Sequence, residues 1–263
     1  MGNEVKLSLH VSLLQTDITW ENPVKNLDRF SKIIGTLKNK SDLIVLPEMF
    51  NTGFTMNVKQ YTEQMDGRTV DWMRQVAEQS KADVAGSLII REGNSVFNRL
   101  VWVKPEGGVY HYDKRHLFRM AGEGESFSDG TERIIVEIQG WKVLPLVCYD
   151  LRFPVWARNN KNEYDLIIYA ANWPERRIAH WDLLLQARAV ENQCYVAAVN
   201  RIGKDGQGNN HTGNSAIYDF MGKQLTEISH SESIISSQLS YSTLTTYREK
   251  FPVWQDADSF QIV

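Results

Sequence analysis

Residues 141–154 read Trp141-Lys142-Val143-Leu144-Pro145-Leu146-Val147-Cys148-Tyr149-Asp150-Leu151-Arg152-Phe153-Pro154. The first seven are mostly apolar and predict a short strand that delivers Cys148 directly into a polar turn. A turn at this point lifts the thiol out of the sheet and leaves the next backbone amide, that of Tyr149, free to donate toward a developing oxyanion. Taken alone, the stretch is compatible with a nucleophilic cysteine and with a buried structural one.

Strands and helices alternate on both sides of this stretch. Further strands are predicted at residues 5–14, 43–46, 83–90, 96–103, 108–112, 134–138, 165–171 and 194–200, and helices at 23–37, 71–80 and 178–192. Residues 43–46 and 166–169 are apolar at every position, which is typical of sheets covered on both faces. Since no linker or repeat interrupts the chain, the pattern predicts one layered α/β sandwich domain over residues 1–263, with a C-terminal tail.

The composition narrows the function classes. The chain has 263 residues, of which 42% are hydrophobic and 23% charged, as in ordinary globular enzymes. Its 29 basic and 32 acidic side chains give a net charge of −3, so we expect neither nucleic acid nor a membrane surface as a partner. The opening residues lack the pattern of a signal peptide, which predicts a cytoplasmic protein. In that compartment Cys148 and Cys194 should be free thiols.

Two charged residues follow predicted strands, where the sites of α/β proteins gather. Glu48 comes after the apolar run at residues 43–46, and an apolar wall there would raise its pKa toward that of a useful base. Lys114 follows the strand at 108–112, and its ammonium could stabilise a thiolate and a tetrahedral oxyanion. Taken singly, each is also compatible with a solvated surface charge.

Other chemistries find less support. No His-Glu-x-x-His stretch or paired Cys/His spacing occurs, so we predict no metal site. The glycine-rich residues 203–208 lack the order of a dinucleotide-binding loop and predict a turn. Cys194 lies inside an apolar strand and is interpreted as core packing.

The ordered set of Glu48 in Leu-Pro-Glu-Met, Lys114 in Tyr-Asp-Lys-Arg-His-Leu-Phe and Cys148 in Val-Cys-Tyr-Asp-Leu-Arg-Phe-Pro resembles the carbon–nitrogen hydrolase (nitrilase) superfamily. The similarity extends over nearly the whole chain, and further matching stretches contain Asn98 and Asn172. The resemblance implies a four-layer α-β-β-α sandwich in which Cys148 attacks a carbonyl or nitrile carbon, Glu48 is the general base and Lys114 stabilises the tetrahedral intermediate.

Members of this superfamily usually carry a second glutamate that positions substrate and water. Two candidates exist here, Glu123 and Glu125. The spacing of Glu123 to Gly130 looks like the family pattern, so Glu123 is our choice, and Glu125 stays open because the surrounding glycines make the loop flexible.

Within the superfamily, residues 115–118 and 148–154 and the tail segment 250–258 resemble the omega-amidases most. That branch implies a small amide substrate, 2-oxoglutaramate or 2-oxosuccinamate, hydrolysed to the 2-oxo diacid and ammonia without metal or organic cofactor. Phe118 and Trp173 are expected as cavity walls. The distal carboxylate of such a substrate requires a cation or several N–H donors. Five arginines could supply one, namely Arg115, Arg119, Arg152, Arg176 and Arg177.

Three alternatives remain at this stage: another amidase, an N-carbamoyl amino acid hydrolase, or a catalytically silent binding protein of the same superfamily. The first two are open because Glu48, Lys114 and Cys148 determine that a carbon–nitrogen bond is hydrolysed but do not determine which acyl group the substrate carries. The resemblance also implies a homodimer, formed through a helical layer. Residues 242–263 contain enough apolar side chains to cover a neighbouring surface.

Overall fold

The protein is described here by a computed structural model covering residues 5–258 and 260–261. The strands are β1 (Ser8–Gln15), β2 (Leu43–Val45), β3 (Asp83–Glu92), β4 (Ser95–Val103), β5 (Val109–Asp113), β6 (Val136–Ile138), β7 (Trp141–Val147), β8 (Leu166–Ala171), β9 (Tyr195–Asn200), β10 (Ile202–Lys204), β11 (Asn210–Thr212), β12 (Ala216–Tyr218) and β13 (Ser233–Ser240). The α-helices are α1 (Pro23–Gly35), α2 (Val58–Tyr61), α3 (Arg68–Ser80), α4 (Glu123–Ser126), α5 (Pro154–Ala157), α6 (Ile178–Asn192) and α7 (Tyr241–Lys250). Short 3₁₀ turns span Arg119–Ala121, Cys148–Arg152, Glu175–Arg177 and Val253–Asp256.

The strands form two mixed sheets. In the first, six strands lie in the order β13-β1-β2-β3-β4-β5, and β1, β2 and β3 are parallel. In the second, five strands lie in the order β12-β9-β8-β7-β6, and β7, β8 and β9 are parallel. The remaining neighbours pair antiparallel, and β10 and β11 form a separate hairpin. Helices α1, α3, α5 and α6 lie in the connections between successive parallel strands, which need such crossovers.

The packing of β2 explains its apolar sequence. Leu43 and Val45 belong to the core between the two sheets, whereas Ile44 belongs to the core beneath α1 and α3. All three side chains are fully buried because the strand is covered on both faces. On the outer side of the five-stranded sheet, α6 buries Trp181 and Leu185. The layers are therefore helix, sheet, sheet, helix, and the predicted four-layer α-β-β-α sandwich is confirmed.

Local signals determine where the helices begin. The Asn22 side chain accepts a hydrogen bond from the Lys25 backbone N–H at 3.1 Å, and Pro23 occupies the first turn of α1, where its missing N–H has no cost. Leu27, Phe30 and Ile34 then recur at helical spacing on one buried face. Each contributes about 1.5–3 kcal/mol through burial. Within the described residues, no helix has both the length and the apolar character needed to cross a bilayer.

Two elements near the C-terminus, β13 and α7, pack against the rest of the chain. Strand β13 was missed because its sequence, Ser-Ile-Ile-Ser-Ser-Gln-Leu-Ser, is rich in polar residues, although it pairs with β1 along eight residues. Helix α7 packs on its own chain, since Arg248 Nη1 donates to Asp165 Oδ1 at 2.8 Å and Leu244 is buried. Residues 259, 262 and 263 of the predicted tail lie outside the described residues.

Candidate active site

Four polar side chains follow shortly after four strands and meet at one edge of the sandwich. Glu48 follows β2, Lys114 follows β5, Cys148 follows β7 and Asn172 follows β8. Strand β4 pairs antiparallel with both β3 and β5. Strand β5 therefore runs in the same direction as β2 and β3 and ends at the same edge of the sheet. The three residues singled out from the sequence, Glu48, Lys114 and Cys148, are thus brought together in space.

Cys148 occupies a strained turn. It opens the 3₁₀ turn Cys148–Arg152 directly after β7, with a φ of +44°. A left-handed backbone at a residue with a Cβ costs about 1–3 kcal/mol and persists only where the surrounding structure enforces it. Cys148 is partly exposed and lines a cavity, whereas Cys194 is fully buried in the core. The turn therefore presents the Cys148 thiol to a cavity, and Cys194 is a packing residue.

Glu48 is fully buried beside this thiol. Its Oε1 accepts hydrogen bonds from Lys114 Nζ and from Asn98 Nδ2, each at 2.8 Å. Its Oε2 accepts from the backbone N–H of Asn172 at 3.0 Å. The Cys148 thiol, the Glu48 carboxylate and Asn172 line the same cavity, and the carboxylate is close enough to the sulfur to raise the pKa of the thiol. These hydrogen bonds hold the carboxylate in one orientation, in the cavity that also contains the thiol.

Lys114 lies between two buried carboxylates. Its Nζ donates to Glu48 and also to both oxygens of Glu123, each at 2.9 Å. Glu123 is held in turn by Asn98 Nδ2 at 3.0 Å and by the Phe118 backbone N–H at 2.5 Å. Glu125, the other candidate for the second glutamate, is exposed. Two carboxylates and one ammonium give this cluster a formal charge of −1.

The charges of the cluster determine the resting state of the thiol. Burial raises the pKa of Cys148 well above its usual value, and the Glu48 carboxylate raises it further, against the opposing effect of Lys114. Burial would lower the pKa of the Lys114 ammonium, but Glu123 and Glu48 outweigh it, and the pKa ends above its usual value. At neutral pH the sulfur is therefore a neutral thiol, and the lysine is charged.

The thiol lies in a cavity of about 160 Å³. The predicted site residues Phe118, Tyr149 and Trp173 line it, together with Phe54, which the sequence did not suggest. The Phe118 and Tyr149 rings contact each other with centroids 5.0 Å apart. Pockets for drug-sized ligands measure about 300–1,000 Å³, so this one suits a molecule with few heavy atoms.

Three of the five candidate arginines line this cavity, namely Arg152, Arg176 and Arg177. The Arg152 guanidinium lies 4.8 Å from the Trp173 ring centroid, and that of Arg177 lies 5.1 Å from the Phe118 centroid. In the described part of the chain, none of the three forms a salt bridge. Burial, Arg176 and Arg152 all lower the pKa of Arg177. A rim of cations without acidic partners is suited to an anionic ligand.

The other two arginines lie elsewhere. Arg115 forms a salt bridge with Asp129 at 3.3 Å, and Arg119 is exposed. Both line a second, wider depression, which Cys148 does not line. They are therefore not part of the cavity that contains the Cys148 thiol.

Sequence reasoning did not assign roles to two buried asparagines and one hairpin. Asn172 follows a strand, the same signal that identified Glu48, whereas Asn98 could be recognised only as an amide inside the apolar strand β4. The predicted turn at 203–208 joins β10 to β11, and Asp205, Gln207, Asn209 and His211 from this hairpin line the cavity. The hairpin is held in place because Gly206 packs on Trp20, where a Cβ would lie 2.3 Å from the ring.

No group of three or more His, Cys, Asp and Glu side chains in the described residues has an arrangement that could hold a metal ion. The polar groups at the site instead combine a thiol, a carboxylate next to it, a buried ammonium and a rim of arginines. This set is suited to nucleophilic attack on a small anionic carbonyl compound.

Comparison with known proteins identifies the family. The family model named carbon–nitrogen hydrolase matches residues 10–249. The chain belongs to the carbon–nitrogen hydrolase family. The resemblance inferred from the sequence is thereby confirmed, including its omega-amidase branch, because this hydrolase is 46% identical over 255 residues to "Omega-amidase YafV" of Escherichia coli K12. That alignment covers 97% of this chain and 98% of the relative.

Two further proteins are similar to this carbon–nitrogen hydrolase over most of its length. It is 34% identical to a 2-oxoglutaramate amidase of Bacillus subtilis, over 94% of this chain and 96% of the relative. Among solved structures, a CN-hydrolase superfamily protein of Xanthomonas campestris, described with an arsenic adduct in its active site, superposes with a TM-score of 0.95 at 42% identity. That match covers 97% of this chain and 99% of the other.

Proposed function

We propose that this carbon–nitrogen hydrolase is an omega-amidase that hydrolyses the terminal amide of 2-oxoglutaramate or 2-oxosuccinamate to the 2-oxo diacid and ammonia. The observation that carries the proposal is one cavity lined by the Cys148 thiol, Glu48 and Lys114, with three arginines at its rim. The Lys114 ammonium in it is held between the carboxylates of Glu48 and Glu123. The names of the relatives, omega-amidase and 2-oxoglutaramate amidase, support the choice of substrate.

In the acylation step, Cys148 attacks the amide carbon and its proton passes to Glu48. Because the thiol is protonated at rest, this transfer accompanies the attack and is not completed beforehand. The tetrahedral oxyanion is stabilised by the Lys114 ammonium and the Tyr149 backbone N–H. Protonated Glu48 then donates to the departing nitrogen, ammonia leaves, and a thioester with Cys148 remains.

In the deacylation step, water attacks the thioester carbon and gives a proton to Glu48. The C–S bond breaks, the proton returns to the sulfur and the 2-oxo diacid leaves. Glu123 positions the substrate and the attacking water through its contact with Lys114. General acid–base catalysis of this kind contributes about 10²–10⁴ in rate, and a single oxyanion donor about 3–4 kcal/mol.

The size and charge of the cavity support a short anionic substrate. A volume of about 160 Å³ suits an acyl chain of a few carbons. Arg152, Arg176 and Arg177 provide positive charge at its rim for the substrate carboxylate. Phe118 and Trp173 give the acyl chain apolar walls.

An ammonia-release screen tests the function. Purified enzyme is incubated with 2-oxoglutaramate, glutamine, asparagine, N-carbamoyl amino acids and simple nitriles, with the Cys148→Ala variant as the blank. We expect kcat/KM to be highest for 2-oxoglutaramate. A preference for an N-carbamoyl amino acid or another amide would replace the proposed substrate, and no ammonia from any compound would indicate a catalytically silent binding protein.

The arginine rim gives a prediction on specificity. Arg177→Met should raise KM for 2-oxoglutaramate about 10- to 100-fold, because a hydrogen bond to a charged group contributes about 1.5–3 kcal/mol. The same variant should leave KM for propanamide, which has no carboxylate, nearly unchanged. Steady-state ammonia release with both substrates measures the two effects.

Arg119→Met is the matched control, since Arg119 is exposed and lies outside the cavity. It should leave both KM values at those of the parent enzyme. Equal changes for the charged and the neutral substrate in Arg177→Met would contradict a role in carboxylate binding.

We also infer that two copies associate through the outer face of α6. Leu183 and Val190 lie seven residues apart on this helix and are 66% and 48% exposed, and the neighbouring Met221 is also exposed. The turn that carries Met221 is joined to α6 by a hydrogen bond from Gln186 Nε2 to the Gly222 carbonyl at 2.9 Å. Apolar side chains grouped on an outer helix mark an association surface.

Leu183→Glu should therefore convert a dimer into a monomer, because it places a charge in the centre of this apolar face. Light scattering after size exclusion measures the mass. Leu7→Glu is the control, since Leu7 is a leucine of similar exposure at 71% that precedes β1. A parent protein that is already monomeric at micromolar concentration, or a Leu183→Glu variant that stays dimeric, would exclude this interface.

A further inference from the structure

Asp150, two residues after Cys148, is fully buried and accepts four hydrogen bonds. Its Oδ2 accepts from the Val147 backbone N–H at 3.1 Å and from the Tyr112 hydroxyl at 2.8 Å. Its Oδ1 accepts from the His116 backbone N–H at 3.0 Å and from the His116 ring nitrogen Nδ1 at 2.8 Å. Each carboxylate oxygen therefore has two donors, and the group has no Lys or Arg partner within the described residues.

The donors come from two segments that are distant in sequence. Tyr112 and His116 lie two residues before and two residues after Lys114, whereas Val147 directly precedes Cys148. One carboxylate thus joins the backbone on both sides of the lysine to the backbone that enters the cysteine turn. Through these bonds a displacement of either segment is transmitted to the other.

Aromatic packing makes the link rigid. The His116 ring stacks on Phe153 with centroids 3.7 Å apart and planes 6° from parallel. The Tyr112 hydroxyl, besides donating to Asp150, accepts from Trp156 Nε1 at 2.9 Å and from the Arg115 backbone N–H at 3.2 Å. These contacts leave the two side-chain donors little freedom to follow a misplaced carboxylate.

The backbone at Cys148 needs such support. Its φ of +44° is a costly conformation that must be enforced from outside the residue. The hydrogen bond from the Val147 N–H to Asp150 spans this residue and closes the turn around it. The chemistry of the reaction requires the sulfur, the Glu48 carboxylate and the Lys114 ammonium to keep a fixed geometry, and a shift of about 1 Å can cost 100-fold in rate.

We propose that Asp150 is a positioning residue, which sets the place of the Cys148 thiol relative to the Lys114 ammonium. It acts through the backbone and through Tyr112 and His116, and does not touch the substrate. The turnover tests of this proposal rest on the proposed omega-amidase function, because they measure the hydrolysis of 2-oxoglutaramate.

Asp150→Asn is the first test. The Asn amide nitrogen cannot accept a hydrogen bond, so the donors facing one of the two former carboxylate oxygens lose their acceptor while the side-chain shape is kept. We expect kcat for 2-oxoglutaramate to fall about 100-fold, with KM within about threefold of the parent value. A folded variant with kcat within about threefold of the parent would overturn the proposal.

Asp83→Asn is the matched control for a purely structural effect. Asp83 is also a buried aspartate with an aromatic donor, Trp102 Nε1, at 2.6 Å, but it begins β3 and lies at the opposite end of that strand from the site. We expect it to lower the melting temperature and to leave kcat per folded molecule unchanged. If Asp83→Asn reduced kcat as much as Asp150→Asn, Asp150 would have no special positioning role.

His116→Phe keeps the test decisive if Asp150→Asn does not fold. This substitution removes the ring donor to Asp150 and keeps a ring that can stack on Phe153. The His116 side chain is already partly exposed, so its replacement should be tolerated by the fold. We expect kcat to fall about tenfold with unchanged KM. An unchanged kcat in this variant would overturn the proposal.

A second readout separates this proposal from the proposed function. The rate of Cys148 alkylation by iodoacetamide, followed by mass spectrometry, does not depend on the identity of the substrate. In His116→Phe, and in Asp150→Asn if it folds, we expect alkylation at least about fivefold slower than in the parent, because the thiol no longer faces Glu48 correctly. An unchanged or faster rate would overturn the positioning role, whereas failure of the parent to hydrolyse 2-oxoglutaramate would overturn only the function.

Discussion

Cys148→Ala is expected to abolish ammonia release from 2-oxoglutaramate, with kcat falling by about 10⁴ or more. Without the sulfur no thioester forms, and loss of a nucleophile in an assembled site typically costs orders of magnitude that its neighbours cannot restore. The substitution should leave the fold intact, because Cys148 is partly exposed and lines a cavity. Initial rates of ammonia release at saturating substrate measure the effect, and circular dichroism checks the fold.

Cys194→Ala is the matched control for the thiol. Cys194 is the other cysteine of the chain and is fully buried next to β9. Its replacement removes a buried sulfur and should lower the melting temperature, yet leave kcat at the parent level. If Cys148→Ala kept more than about 1% of the parent kcat, or if Cys194→Ala were the inactive variant, the assignment of the nucleophile would be wrong.

Glu48→Gln is expected to lower kcat by about 10²–10⁴, the usual contribution of general acid–base catalysis. The amide keeps the size of the side chain, but it cannot take the Cys148 proton or return it to the leaving ammonia. The thiol would then have to ionise unaided, against a pKa that burial already raises. Ammonia release over a range of substrate concentrations separates the effect on kcat from that on KM.

Glu123→Gln is the control for charge. Both glutamates contact Lys114, so each substitution removes one of the two negative charges from the ammonium. Of the two carboxylates, only that of Glu48 lines the cavity together with the Cys148 thiol. We expect Glu123→Gln to reduce kcat at least about tenfold less than Glu48→Gln. Equal losses would mean that the charge around Lys114, rather than proton transfer by Glu48, limits the reaction.

Much of the fold was predictable because its signals are local. The strand predicted at residues 141–147 has the same boundaries as β7, and the helix predicted at 178–192 has the same boundaries as α6. Residues 43–45 are apolar throughout because β2 is buried on both faces. Strand β13 escaped prediction because it is a polar edge strand, stabilised by pairing with β1, about 225 positions earlier in the chain.

The partners within the site were less predictable. The sequence left Glu123 and Glu125 as alternatives for the second glutamate of the site. In the structure Glu123 accepts a hydrogen bond from Lys114, whereas Glu125 is exposed. It offered five arginines, of which Arg152, Arg176 and Arg177 line the cavity. The local sequence of the hairpin that carries His211 does not indicate that this hairpin lines the cavity. The position of the hairpin depends on the packing of Gly206 against Trp20, which is distant in sequence.

The sequence by itself determined the layered α/β architecture and the placement of a carboxylate, an ammonium and a thiol at strand ends. Both follow from hydrophobic periodicity and from the termination of strands, which are properties of neighbouring residues. Only the tertiary structure decided which glutamate and which arginines join them, and that Asp150 ties the lysine segment to the cysteine turn. These outcomes depend on distances between segments separated by tens of residues or more, and hydrogen bonds and ion pairs form only at those distances after the two sheets have packed.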